Sequence, residues 1–134
     1  MPVLTRAFVK ASLVWLALAL IAGVWQQIPG SQRAGLYSVY IHLLAYGWLS
    51  QLIFGVALWM FPLYSKQKPR GPTWLGWLCF ATLNSGLSLR VIFEMLSAYI
   101  SSPIIAWMLV LAAMMKWLAG VAFVALTWRR IRER

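Results

Sequence analysis

Ser65-Lys66-Gln67-Lys68-Pro69-Arg70-Gly71-Pro72 is the longest polar break in this chain of 134 residues, and its reading decides the fold. It holds three cations and two prolines and no large apolar side chain, so it reads as a solvated loop between two halves. Upstream of it an apolar run extends from about Tyr37 to Phe61 and stops at Pro62, and an earlier one extends from about Phe8 to Gln27 and ends at Ile28-Pro29-Gly30. Downstream lie runs from about Trp74 to Tyr99 and from Pro103 to about Trp128, separated by Ser101-Ser102. Each run has the roughly 20 residues that one bilayer crossing takes. The expected fold is therefore all-α: one membrane domain over residues 1–134, a bundle of four transmembrane helices at about 8–27, 37–61, 74–99 and 103–128.

Composition agrees with lipid as the solvent. Hydrophobic residues make up 63% of the chain and charged residues 10%, far from the balance of a water-soluble domain. A short loop before Pro103 predicts a tight helical hairpin, and proline suits the first turn of the helix that follows. The first run is longer than the core of a cleaved signal peptide, so it is expected to be retained as a helix. No internal repeat is visible.

Twelve basic residues against two acidic ones give a formal charge of +10. Their placement points to topology and not to nucleic acid. Arg6 and Lys10, then Lys66, Lys68 and Arg70, then Arg129, Arg130, Arg132 and Arg134 all fall on one side of the four runs, whereas the other side carries Arg33 alone. Basic flanks are retained in the cytoplasm, which predicts that both termini are cytoplasmic. Trp25, Tyr37, Tyr40, Tyr99 and Trp107 near one set of helix ends, and Trp59, Tyr64, Trp74, Trp77 and Trp128 near the other, have the placement of interfacial aromatic belts. Cys79 is the single cysteine, which excludes an intrachain disulfide and suits an inert buried thiol.

Four ionisable residues fall inside the spans: His42, Arg90, Glu94 and Lys116. Such groups are costly in hydrocarbon and are functional candidates for that reason. With about 1.5 Å of rise per residue, His42 and Glu94 lie at similar depth, Arg90 is one turn deeper, and Asn84 is deeper still. His42, Arg90 and Glu94 are expected to meet in the outer half of the bundle. One reading has Arg90 and Glu94, four residues apart, neutralising each other while His42 bonds to a nearby carbonyl. Lys116, near the middle of its helix, is open to a cavity, Glu94, another subunit or snorkelling toward the cytoplasmic surface.

The other reading is a haem site. His42 is followed by Tyr46 and by the small residues Ala45, Gly47, Ser50 and Gly55. A haem needs a nitrogen ligand, a flat apolar slot and cations for its propionates, and His42, Gly47 and Arg90 are candidates for these roles, with Glu94, Tyr46 and Asn84 around them. Small residues along a helix are equally what close helix packing requires. One histidine supplies one axial position, so a second ligand has to be a methionine, such as Met95, Met108, Met114 or Met115, or the histidine of a second chain sharing the haem. A mononuclear zinc site of the usual kind is excluded by the shortage of ligands, and no acyl-transfer triad or phosphate loop is present.

His42-Leu43-Leu44-Ala45-Tyr46-Gly47-Trp48, with Ile53-Phe54-Gly55-Val56-Ala57-Leu58-Trp59-Met60-Phe61-Pro62, resembles the second helix of the heme-copper oxidase catalytic subunit and its short relatives. Leu83-Asn84-Ser85-Gly86-Leu87-Ser88-Leu89-Arg90 is similar to a segment of small four-helix proteins described as oxidase subunit I-like. The likeness covers about residues 37–95. It implies a haem-binding relative with His42 as an axial iron ligand. The expectation drawn from all of this is a b-type haem serving electron transfer or haem or gas sensing, in a bacterial or archaeal inner membrane. The chain lacks the second low-spin haem histidine and the copper-site histidines of that family, so oxygen reduction by this chain alone is excluded. A homo-oligomer is expected in a lipid bilayer, with no nucleic-acid partner. The rival expectations are a cofactor-free structural or assembly subunit of a respiratory complex, and a small transporter or channel that uses Glu94 and Lys116.

Overall fold

The computed structural model describes residues 1–30, 35–62, 71–128 and 130–131. Four helices account for nearly all of them: α1 (Val3–Gln27), α2 (Leu36–Met60), α3 (Thr73–Ser97) and α4 (Pro103–Trp128). Each has 25 or 26 residues and an apolar core sufficient to cross a membrane. At about 1.5 Å per residue they run some 37–39 Å, longer than the hydrocarbon thickness of about 30 Å. The chain is an all-helical membrane protein. Arg33, Tyr64, Lys66, Lys68, Arg70, Arg129, Arg132, Glu133 and Arg134, on which much of the charge argument rests, lie outside the described residues.

The helix ends differ from the sequence expectation for local reasons. α1 begins at Val3, so Arg6 and Lys10 ride on its exposed first turns and do not precede it. α2 ends one residue earlier than Phe61, which is extended (φ −65°, ψ 148°) because the following Pro62 disfavours the helical conformation before it. α3 stops at Ser97, where the amides of Tyr99 and Ile100 both bond to the Leu96 carbonyl. At α4 the Ser102 hydroxyl accepts the Ile104 amide at 3.3 Å, a cap that places Pro103 in the first helical turn as the sequence suggests.

The largest departure from expectation is inside α2. Leu43–Ser50 is π-helical, a wider turn than the α-helix, and the Ser50 hydroxyl donates to the Ala45 carbonyl at 2.7 Å. The buried positions of α2 show why: Leu36, Val39, Leu43, Gly47, Gln51, Gly55 and Leu58 recur at intervals of three or four, with four consecutive fours in the centre. A plain α-helix would rotate such a row off the core. The wider turn keeps it facing inward.

α1 packs along α2, and α3 along α4, as two hairpins joined face to face. Near the end that carries both chain termini the core is Phe8, Leu58, Cys79, Leu83, Ala119, Ala122 and Leu126. Toward the opposite end it is Ala19, Ala22, Leu36, Val39, Leu43 and Leu87. Phe8 seals the first of these against the edge of Phe80, with ring centroids 5.1 Å apart. Leu13, Ile21, Ile53, Ile92, Trp107 and Trp117 stay exposed, as residues in contact with lipid do.

Specific contacts fix the helices at three depths. The Trp15 indole and the Gln51 amide both donate to Asn84 Oδ1, at 2.7 and 3.3 Å, which joins α1, α2 and α3. Phe54 of α2 stacks on Phe123 of α4, with centroids 4.0 Å apart and planes within 5°. Beyond the end of α4, the buried Arg130 donates from Nε to the Pro62 carbonyl at 2.8 Å and from Nη2 to the carbonyls of Phe61 and Leu58 at 2.8 and 3.2 Å. A cation there complements the negative end of the α2 dipole. In the sequence Arg130 counted only toward membrane orientation.

Candidate functional site

The start of α2 is shaped by Gly35, whose φ of 94° lies in the left-handed region. A Cβ there would also sit 3.0 Å from the Glu94 carbonyl, so glycine lets the first turn of α2 press against the last turns of α3. One turn into α2, Ser38 faces α3. Its hydroxyl accepts a hydrogen bond from Arg90 Nη2 at 3.3 Å, and its carbonyl lies 2.8 Å from His42 Nδ1. Ser38 therefore links Arg90 and His42, a role that sequence reading missed although its spacing of four from His42 was visible.

His42 Nδ1 faces a carbonyl oxygen, so it carries the proton and the neutral ring presents its lone pair at Nε2. Among the described residues Nε2 has no hydrogen-bond partner. The imidazole is half-buried and stacks on Tyr46, one turn on, with centroids 5.8 Å apart and planes within 18°. Tyr46 in turn lies under the Lys116 ammonium, which is 4.8 Å from its ring centre. Such a contact partly replaces the water that a cation loses on burial.

Arg90 and Glu94 form the expected ion pair at 2.7 Å. Glu94 is thus engaged by Arg90, and Lys116 rests on Tyr46. Lys116 is 9% exposed, and its stem crosses α3 at Gly86, where a Cβ would be 3.2 Å from Lys116 Cγ and 2.9 Å from the Ala112 carbonyl. Ser38 bridges His42 to the Arg90–Glu94 pair, and Tyr46 bridges His42 to Lys116. The four ionisable residues of the spans meet at one junction of α2, α3 and α4, in the half of the bundle away from the termini.

Gly47 and Asn84 lie elsewhere. Gly47 is buried where a Cβ would be 2.7 Å from Trp15 Cβ and 2.9 Å from Leu87 Cδ2, so the space beside it is filled by α1 and α3. Asn84 serves the interhelical tie with Trp15 and Gln51. Measured against a haem, the residues fit in one respect and fail in another: His42 offers a positioned nitrogen, but the small-residue slot next to Gly47 is closed within one chain. On the same helix Ile41, Tyr46 and Leu49 are exposed. Among the described residues no three His, Cys, Asp or Glu side chains gather to hold a bare metal ion.

Comparison with protein-family models, with curated proteins and with solved structures finds no match to this chain.

Proposed function

We propose that the chain is a haem-b-binding integral membrane protein in which His42 Nε2 is an axial iron ligand and the haem is shared between two copies. The observation that carries this reading is the hydrogen bond from His42 Nδ1 to the Ser38 carbonyl. Metal-ligating histidines commonly donate their other nitrogen to a carbonyl in this way, which fixes the ring and raises its basicity. Haem bound there supplies one-electron redox chemistry or a site for a diatomic gas. Ser38 orients the imidazole, Tyr46 stacks on it, and the closed contact at Gly47 sends the ring to the outer face of α2. Two such faces give the two nitrogens that one chain cannot. The sequence likeness to the oxidase second helix supports the same residue. Basic flanks support cytoplasmic termini, and in this reading the membrane is the cell membrane of a bacterium or archaeon.

The absorption spectrum of protein purified from haem-replete cells tests this reading. A Soret band at one haem per two chains, abolished by His42→Ala in a protein of unchanged helicity, is expected. A colourless wild-type protein, or a band that persists in His42→Ala, overturns it. A second reading, a cofactor-free structural subunit of a respiratory complex, is favoured by the filled space at Gly47 and by the Arg90–Glu94 pair, and it expects the same His42–Ser38 carbonyl bond. It predicts the colourless outcome.

A further inference from the structure

Charge at the junction of α2, α3 and α4 does not balance. Arg90 and Glu94 cancel, which leaves the ammonium of Lys116, nine-tenths buried near the middle of a membrane helix, with an aromatic face beneath it. Among the described residues no carboxylate lies within ion-pair distance of Lys116, and Arg90 Nε and Glu94 Oε2 are both buried without a hydrogen-bond partner, Oε2 meeting Arg90 Nη2 as an ion pair only. Two cationic groups on adjacent helices thus have donor capacity unused, in surroundings where an unpaired charge is expensive. The missing component is one negative charge with more than one acceptor oxygen.

Access narrows the chemical class. By rise along the helix, Tyr46 and Gly86 lie about 15 Å from the nearer ends of α2 and α3, too deep for a bare inorganic ion to arrive without shedding its water. An acid with an apolar body dissolves in the bilayer first and carries its headgroup along the exposed face of α2 at Ile41, Tyr46 and Leu49. We propose that this junction is a carboxylate-binding site for a membrane-soluble acid, with Lys116 and Arg90 as its cationic donors and Tyr46 as the wall that keeps Lys116 in place. The carboxylate comes either from a free fatty acid or from a porphyrin propionate. The site does not depend on iron at His42.

The test uses iron-free protein in lipid nanodiscs and carboxyl-13C-labelled octanoate, with binding read from the shift of the carboxyl resonance. Saturable binding is expected for the wild type. Lys116→Met, which removes the charge and keeps the volume, is expected to weaken it by about 30-fold or more, and Lys116→Arg to retain most of it. Helical circular dichroism of each variant confirms the fold. Failure of the wild type to bind, equal binding by Lys116→Met, or equal binding of neutral octanol overturns the proposal. If haem displaces octanoate and haem dimethyl ester does not, the natural carboxylate is a propionate; if neither displaces it, it is a free acid. Because His42→Ala leaves octanoate binding intact in this scheme, loss of the haem reading and loss of the carboxylate site are told apart.

Discussion

At Gly47 one hydrogen atom separates a packed bundle from a strained one. Its missing Cβ is what lets Trp15 and Leu87 close over α2, and Gly47→Ala forces a carbon to within 2.7 Å of Trp15 Cβ. Overpacking of this kind costs about 1–3 kcal/mol, so the variant should unfold at lower denaturant in detergent micelles. Unchanged stability would show that the space is open, and would return Gly47 to the list of haem-slot candidates. The sequence left this residue with two roles, and only the neighbours supplied by α1 and α3 choose between them. Arg90 and Glu94 were different: a spacing of four on one helix dictates the pair without tertiary information. The Lys116–Tyr46 contact lay beyond reach because it joins residues 70 apart, whose meeting depends on the rotation of two helices.

Among the helices, α2 carries the most information. Apolar length was enough to find all four spans, because a membrane helix is set by the thickness it crosses and not by amphipathic rhythm. The π-helical stretch was hidden, since an unbroken apolar run has no period from which to see the wider turn. It did leave a trace in the row Leu43, Gly47, Gln51 and Gly55. A π turn absorbs one surplus residue and leaves the flanking helix in phase. Deleting Leu49, which faces outward, should therefore convert the stretch to ordinary α-helix while Gln51, Gly55 and Leu58 keep facing the core. The shortened protein is expected to fold, with indole hydrogen bonding at Trp15 preserved by ultraviolet resonance Raman. Loss of that Trp15 signal would mean that the π turn is required for the register of α2.

For the molecule as a whole, orientation is the property that the charges of the loops decide. Fusion of a reporter active only in the cytoplasm to either end should give signal at both. Removing Lys66, Lys68 and Arg70 together weakens the retention of the central loop and should lower that signal, because the bias of basic residues acts through the segments beside each span. Equal signal from a reporter inserted between Ile100 and Ser101 would contradict the proposed topology. Charge counts in the sequence set an expectation for the side of the membrane, whereas the union of the two hairpins could not be foreseen there, since it depends on Asn84, Phe123 and Arg130 finding partners across the bundle.

Arg130 ties the end of the second hairpin to the last carbonyls of the first, to which it is also joined through the chain. A peptide bond and a guanidinium thus perform neighbouring versions of one task. Two polypeptides made by cutting the gene between Pro62 and Gly71 would still possess the aromatic stack, the indole–amide knot and this basic clasp. Co-insertion of such halves should let them find each other in the bilayer without the strand of chain that normally keeps them together.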